Sequence, residues 1–161
     1  SFVKIVNSTG TYKTIYYYDG ETLVAREDAN GKKFYYHPEH LGSTDLITNQ
    51  EGNIEEETTY KPYGEIIDGG ETSDFLYTNK ELDSTGMYDY GARLYDPLFR
   101  HFTQPDENIP ELYNPQDLNR YTYVRNNPYK YVDPSGEAAY QFGINLAGGL
   151  GKKQACTRGK S

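Results

Sequence analysis

The residues that could carry out chemistry in this sequence are its carboxylates, its arginines, three histidines and one cysteine. His37 and His40 stand three residues apart, a spacing at which two imidazoles can bind one metal ion from the same face of a helix. Pro38 lies between them and disfavours that helix, so the pair predicts a structural turn. His101 has no partner at a comparable spacing. We therefore expect no metal site and no cofactor.

Cys156 is the only cysteine, which excludes a disulfide framework and any multi-cysteine zinc or iron–sulfur site. A cysteine nucleophile needs a neighbouring base, and none lies near Cys156 in the sequence. The thiol is therefore predicted to be incidental.

Three groups of carboxylates are open to a catalytic or a structural interpretation. The run Glu55–Glu57 falls in a strand pattern, where successive side chains point to opposite faces, so a solvated face is favoured over calcium binding. The string Asp83-Ser84-Thr85-Gly86 is similar to the Asp-Thr-Gly of aspartic proteases, but Ser84 interrupts it and there is no second copy. It predicts a hairpin turn. Asp106 and Asp133 each adjoin a proline and are good turn formers.

The secondary structure that must position these residues can be predicted in part from the composition, which is unusually rich in tyrosine. Among 161 residues there are 18 Tyr, 6 Phe and no Trp, with 35% hydrophobic residues and a mean hydropathy of −0.88. The length fits one domain, and so many aromatic residues argue against a disordered chain. We expect a mainly β protein without a large core, in which tyrosine rings pack on pleated surfaces and their hydroxyls stay hydrated.

Short strands separated by turn residues fill the first two thirds of the chain. No segment before residue 110 has the 3.6-residue apolar period of a helix. Asp19-Gly20 predicts a hairpin, and tyrosines, a turn and a short apolar strand recur at roughly twenty-residue intervals, as in a repeat whose hairpins must stack. The predicted strands are 12–18, 22–25, 33–36, 45–48, 54–60, 75–77, 87–88, 93–95 and 121–124.

After residue 103 the prolines become too frequent for long regular elements. A short helix is predicted over Asn114–Asn119, with Asn114 as the N-cap and Pro115 at the first helical position. The rest of this Pro-rich region is predicted to be irregular.

Charge divides the sequence at about the same place as a change in composition. Residues 1–136 hold 12 Lys and Arg against 23 Asp and Glu, a net charge of −11, whereas residues 137–161 carry +3. An acidic body argues against nucleic acid as a partner, because the phosphate backbone requires a positive face. No apolar run is long enough to span a membrane, and the first residues lack a signal-peptide pattern. We predict one domain over 1–136 and a separate variable segment over 137–161, which is the start of a cargo or a tail.

Several long strings in residues 12–136 resemble the RHS/YD-repeat family, specifically its RHS repeat-associated core domain. They occur in family order. The strings are Tyr35-Tyr36-His37-Pro38-Glu39-His40-Leu41-Gly42-Ser43-Thr44, Tyr60-Lys61-Pro62-Tyr63-Gly64-Glu65, Gly91-Ala92-Arg93-Leu94-Tyr95-Asp96-Pro97, Asn126-Asn127-Pro128 and Tyr131-Val132-Asp133-Pro134-Ser135-Gly136.

The resemblance implies a fold and a role. Proteins of this family wind YD-repeat hairpins into a spiral β-sheet that closes into a hollow shell, and the core domain caps its C-terminal end. In insecticidal Tc toxin C subunits and many bacterial RHS toxins, the core cuts the chain and the shell holds the variable C-terminal segment. The expected partners are thus the chain's own C-terminal segment, upstream YD repeats, and a toxin-delivery or cell-surface partner. The implied location is secreted or cell-surface.

The resemblance also implies the residues of a self-cleaving site. Asp106 and Asp133 correspond to an aspartate pair that hydrolyses the junction, and Arg93 to an arginine that stabilises an oxyanion or holds one Asp ionised. Two neighbouring carboxylates can share one proton, so that one activates water while the other donates. The junction comprises Gly136, Glu137 and Ala138, and the cut is expected at Glu137–Ala138. Arg100 is the rival for the role of Arg93.

Two other functions stay open. The residues after Asp106, and Glu137 in place of an apolar residue, depart from the family pattern, which favours a non-enzymatic shell or adhesion module of the teneurin kind. A tyrosine-rich carbohydrate-binding module is the third interpretation, although aromatic ladders more often hold hairpins together.

Overall fold

The computed structural model describes residues 2–7, 11–20, 22–107, 118–137, 140–141 and 154–155. The chain forms two compact units, Ser1–Tyr60 with Ile66–Asn79, and Lys61–Glu65 with Lys80–Ser161. The described strands pair antiparallel throughout, so the predicted mainly β fold built from hairpins is confirmed. In this described part of the chain, no helix has the length and apolar character needed to cross a membrane.

The first unit is built on a six-stranded sheet whose strands neighbour each other in chain order. The turn at Asp19-Gly20 joins the second and third strands, as predicted, and Gly20 adopts a positive φ of 60° that the turn requires. The strands are β1 (Phe2–Asn7), β2 (Thr11–Asp19), β3 (Thr22–Glu27), β4 (Lys33–Pro38), β5 (Thr44–Asn49) and β6 (Ile54–Glu57).

The predicted strand over 54–60 is wrong in one respect, because the structure divides it. Buried Thr58, which belongs to neither strand, follows β6, and its N–H donates to the Asp45 carbonyl at 2.8 Å. The next strand, β7 (Thr59–Tyr60), pairs with β8 (Ile66–Asp68) in a separate two-stranded sheet. The large sheet therefore ends at β6.

One face of the six-stranded sheet carries the core of the first unit. Alternation along β4 buries Phe34 and Tyr36 and leaves Tyr35 exposed, as the period of a strand requires. A segment that returns over this face brings Phe75 edge-on to Tyr16, with ring centroids 5.4 Å apart. The core residues are Tyr16, Leu23, Phe34, Tyr36 and Ile47.

The second unit contains two small sheets. The four-stranded sheet has the order β12-β11-β10-β9, and the three-stranded sheet has the order β13-β14-β15. The strands are β9 (Glu81–Leu82), β10 (Tyr88–Asp89), β11 (Leu94–Asp96), β12 (His101–Phe102), β13 (Tyr131–Val132), β14 (Tyr140–Gln141) and β15 (Gln154–Ala155). Both β14 and β15 lie beyond residue 136, and β14 pairs with β13 while β15 pairs with β14, so parts of the predicted tail join the same sheet as β13. The boundary itself stays a prediction.

Tyrosine rings form the core of the second unit, and here the expectation of hydrated hydroxyls is wrong. Tyr88, Tyr90, Tyr95, Phe102 and Tyr123 are each at most 2% exposed. The hydroxyls of Tyr90 and Tyr123 bond to each other at 2.9 Å, and that of Tyr95 donates to the Tyr63 carbonyl at 2.8 Å. A tyrosine can be fully buried when its hydroxyl has such a partner, which is how this polar sequence builds a core.

The predicted strand over 121–124 is also wrong. Val124–Asn126 forms a single turn of 3-10 type in which all three residues have positive φ, from 40° to 57°. A left-handed backbone cannot continue a strand, so only Thr122 forms a β-bridge, with His101. Residues 75–77 likewise form no regular strand: Phe75 is a single β-bridge residue, and a second 3-10 turn occupies Tyr77–Asn79. The predicted helix at Asn114–Asn119 lies largely outside the described residues.

Candidate functional site

Arg93 is placed by the tight connection between β10 and β11. The Tyr90 N–H donates to the Arg93 carbonyl at 3.1 Å, and the Asp89 carboxylate accepts the Gly91 N–H at 2.7 Å. The Arg93 guanidinium lies over the Phe102 ring, 3.8 Å from its centroid, and only 7% of the side chain is exposed. The connection thus directs a cation inward onto an aromatic face.

The structure brings together the three residues that the sequence resemblance singled out. Nη2 of Arg93 lies 3.5 Å from Oδ2 of Asp106 and 3.6 Å from Oδ2 of Asp133. Asp133 is buried, with 3% of its side chain exposed, whereas 20% of the Asp106 side chain is exposed. Burial lowers the pKa of Arg93, and the charges of Asp106, Asp133 and Glu137 oppose that shift. One buried cation therefore faces several carboxylates.

Asp133 also organises the chain that follows it. Its Oδ1 accepts the N–H of Gly136 at 2.8 Å and that of Ser135 at 3.2 Å. Hydrogen bonds to a carboxylate stabilise its ionised form, as the nearby guanidinium does. Asp133 is therefore both a turn former, as its sequence context allows, and a member of the cluster around Arg93.

The three carbonyls after Asp133 are each held by a donor from residues 80–93. Lys80 Nζ donates to the Pro134 carbonyl at 2.5 Å, and the Ala92 N–H donates to the Ser135 carbonyl at 3.1 Å. Arg93 Nε donates to the Gly136 carbonyl at 2.5 Å. The arginine that faces both carboxylates thus also binds the backbone just before the predicted junction bond.

Gly136 is required by its surroundings. Its φ is 75°, and a Cβ there would lie 3.0 Å from the Cβ of Tyr90 and 3.1 Å from the backbone nitrogen of Arg93. Any larger residue would be strained at this φ and would require its neighbours to shift by a few tenths of an ångström. Glu137 is exposed, and Ala138, the last residue of the predicted junction, lies outside the described residues.

Arg120 belongs to this site although nothing in its sequence context singled it out. Its Nε and Nη2 both donate to the Asp106 carbonyl, the first at 2.7 Å, and its own carbonyl accepts the Asp106 N–H at 2.8 Å. Arg93 Nη1 donates to the same Arg120 carbonyl at 3.2 Å. Arg100, the rival named from sequence, instead lies over the Tyr63 ring at 5.5 Å. Only the spatial neighbourhood distinguishes these arginines.

The other candidate residues have local roles. His37 bonds to the Thr48 hydroxyl and His40 to Glu39, and no group of three or more metal-ligating side chains occurs among the described residues. Asp83 accepts the N–H groups of Thr85 and Met87, so the predicted turn is confirmed. Cys156 lies outside the described residues.

Comparison with known proteins gives matches over most of the chain. The family model of the teneurin YD-shell matches residues 2–129. Salivary gland surface protein 1 of Aedes aegypti is 34% identical over 127 residues, which are 75% of this chain and 4% of that protein. Toxin subunit YenC1 of Yersinia entomophaga is 33% identical over 119 residues, 70% of this chain and 12% of the subunit.

A solved structure agrees with the fold. The crystal structure of TcdB2-TccC3-Cdc42 matches with a TM-score of 0.69 at 27% identity, over 79% of this chain and 7% of the matched one. In each of these three comparisons, the chain corresponds to a small part of a much longer protein.

Proposed function

Because the chain belongs to the teneurin YD-shell family, of RHS/YD-repeat proteins, we propose that it is the C-terminal core of a β-shell that encloses its own C-terminal segment and cuts the chain beside it. A structural role in such a shell follows from the family. Encapsulation and self-cleavage are the further steps of the proposal. The observation that carries them is Arg93, which contacts Asp106, Asp133 and the Gly136 carbonyl together.

The proposed chemistry is hydrolysis of the Glu137–Ala138 peptide bond. The contacts of Asp133 favour its ionised form, since its Oδ1 accepts two N–H groups and its Oδ2 faces Arg93. Asp106, the more exposed carboxylate, accepts a proton from water as the water oxygen attacks the Glu137 carbonyl carbon, and returns it to the Ala138 nitrogen as the C–N bond breaks. Water thus supplies the OH of the new carboxyl group and the proton of the new amine.

Arg93 contributes position and charge in this scheme. Its bond to the Gly136 carbonyl fixes the backbone one residue before the bond that is cut. Its positive charge, buried and facing the carboxylates, offsets the negative charge that develops on the attacked carbonyl. The cargo begins at Ala138, and a toxin-delivery or cell-surface partner is proposed because the relatives include a toxin subunit and a surface protein.

The test is the intact mass of the full natural polypeptide that contains this sequence, measured under denaturing conditions. We expect a separate peptide that begins at Ala138 in the wild type, and a single uncut chain in Asp106→Asn and Asp133→Asn. Asparagine at 133 keeps an oxygen that can accept the Ser135 and Gly136 N–H groups, so the turn survives.

Asp96→Asn is the matched control. The Asp96 carboxylate also stabilises a turn, because it accepts the N–H groups of Leu98 and Phe99, and these residues lie outside the cluster around Arg93. It should cut as the wild type does. Normal cutting in both the Asp106 and Asp133 variants would remove the assignment.

A second candidate function is a non-enzymatic shell or adhesion module, in which the same cluster only locks the chain after β13. The observation in its favour is that Asp133 accepts the N–H groups of Ser135 and Gly136 while Arg93 donates to the Gly136 carbonyl. This function predicts a wild-type chain that stays intact in a folded preparation.

A further inference from the structure

We propose that Arg120 is a positioning residue of this site: its guanidinium grips the Asp106 backbone so that the Asp106 carboxylate faces Arg93. This inference rests on the proposed self-cleavage, to which it adds a residue and a way of acting.

The contacts between Arg120 and Asp106 are reciprocal. The Asp106 N–H donates to the Arg120 carbonyl, and two nitrogens of the Arg120 guanidinium donate to the Asp106 carbonyl. One residue, 14 positions away in sequence, thus binds both peptide groups of Asp106. With its backbone bound on both sides, Asp106 has a fixed Cα position from which its carboxylate reaches Arg93.

Arg120 is itself tied to the rest of the site. Its carbonyl accepts Arg93 Nη1 in addition to the Asp106 N–H. The next residue, Tyr121, accepts the Phe102 N–H at 2.9 Å, and Phe102 is the ring on which the Arg93 guanidinium lies. The two arginines, Asp106 and β12 therefore form one closed set of contacts.

The geometry of the bonds to the Asp106 carbonyl favours arginine at position 120. A guanidinium presents several N–H donors in a rigid plane and can direct two of them at one carbonyl oxygen, whereas lysine is a point charge on a flexible stem. Arg120 is exposed, so its loss should disturb Asp106 much more than the fold. That difference separates a positioning role from a general structural one.

The experiment follows cleavage over time in the full natural polypeptide, made by cell-free synthesis. Since a displacement of about 1 Å can cost a factor of about 100 in rate, we expect Arg120→Gln to slow cleavage about 100-fold. Arg120→Lys should recover part of that loss. Arg120→Ala should regain rate when free guanidinium ion is added, and Asp106→Asn should not.

Arg100→Gln is the matched control, because Arg100 is another exposed arginine of the same unit and its cation–π contact is with Tyr63. It should cleave at the wild-type rate. Wild-type rates in Arg120→Gln, or equal slowing in Arg100→Gln, would overturn the positioning role. The positioning role would also be overturned if Arg120→Ala still cleaves slowly in the presence of guanidinium and Arg120→Lys cleaves no faster than Arg120→Gln.

An uncut wild type would instead overturn the proposed function itself. Hydrogen exchange of the backbone amides of residues 103–107 then tests whether Arg120 holds the Asp106 backbone, and this test does not depend on cleavage. Faster exchange in Arg120→Gln than in Arg100→Gln supports the grip on Asp106, and equal exchange overturns it.

Discussion

At the scale of single residues, the site depends on one buried cation that several groups share. Arg93 faces Asp106 and Asp133, donates to the Gly136 and Arg120 carbonyls, and rests on Phe102. A buried charge is tolerated only when such partners replace its water. The same partners place both carboxylates beside the predicted junction, so the interactions that stabilise Arg93 also assemble the candidate chemistry.

Tyr36 gives a prediction at this scale, because its hydroxyl is buried and donates to Ser73 Oγ at 3.0 Å. Tyr36→Phe should lower the free energy of unfolding by about 1 kcal/mol, the usual net value of one hydrogen bond. Tyr35→Phe is the control on the opposite face of β4, where the ring is 41% exposed, and should change stability little. Urea unfolding of both variants measures the difference, and equal losses would contradict the assignment of faces.

The same hydroxyl predicts a pH dependence. Burial raises the pKa of Tyr36 from its ordinary value of 10.0 to about 12, and the bond to Ser73 opposes this shift in part. The folded state thus favours the neutral phenol, so the stability that Tyr36 contributes is fully present below pH 10.0 and is lost as pH rises to about 12. Unfolding free energies measured across this interval should fall more steeply in the wild type than in Tyr36→Phe. Parallel curves would contradict the assignment.

At the scale of elements, tight connections decide where strands end and what they present. The left-handed turn at Val124–Asn126 ends any strand that begins at Tyr121, although the sequence there alternates as a strand would. Buried Val124 and the Tyr90–Tyr123 hydroxyl pair hold this turn in place. Tertiary packing thus overrides the backbone preference of a β-branched residue.

Gly69 provides a prediction at the scale of elements. It follows β8, at the point where the β7–β8 hairpin passes close to β6. A Cβ at Gly69 would lie 2.3 Å from the Glu57 carbonyl oxygen, whereas a Cβ at Gly52 would meet no atom within 4 Å. Both glycines have a positive φ, 78° and 83° respectively, so alanine is strained at either position. The difference between Gly69→Ala and Gly52→Ala therefore isolates the clash.

We expect Gly69→Ala to be less stable than Gly52→Ala by about 2 kcal/mol, the middle of the range for overpacking. Chemical denaturation of the two variants provides the measurement. Equal stabilities would mean that the backbone between β6 and β8 shifts to accommodate the added methyl group without lowering the free energy of unfolding.

At the scale of the whole molecule, opposite charges distinguish the body from the C-terminal segment. Residues 1–136 carry a net charge of −11, and residues 137–161 carry +3. If the segment is cargo, attraction between the two parts helps to retain it after a cut. Exposed charges are screened by salt, so this attraction should weaken as ionic strength rises.

The corresponding experiment titrates a synthetic peptide of residues 138–161 into the full natural polypeptide truncated after Glu137. Binding should weaken markedly between roughly 0.05 M and 0.5 M salt, where the screening length falls by a factor of about three. A peptide with Lys152, Lys153, Arg158 and Lys160 replaced by glutamine is the control and should show little salt dependence. Salt-independent binding of the natural peptide would contradict an electrostatic contribution.

Local sequence patterns were enough to predict the fold class, the family and three residues of the candidate site. Turn dipeptides such as Asp19-Gly20 and the alternation along β4 are local properties, so the hairpins could be predicted without knowledge of distant contacts. Arg93 and Asp133 were found because they lie in family motifs, and Asp106 because the resemblance pairs it with Asp133; the structure places both carboxylates near the Arg93 guanidinium.

Three features required the folded chain: Arg120 rather than Arg100 joins the site, tyrosine hydroxyls are buried with partners, and residues 121–126 turn instead of extending. The contacts behind them join groups far apart in the chain: Arg120 and Asp106 are 14 residues apart, and Tyr90 and Tyr123 are 33 apart. A buried polar group is stable only when its partner is present, and a sequence does not state which distant residue supplies that partner.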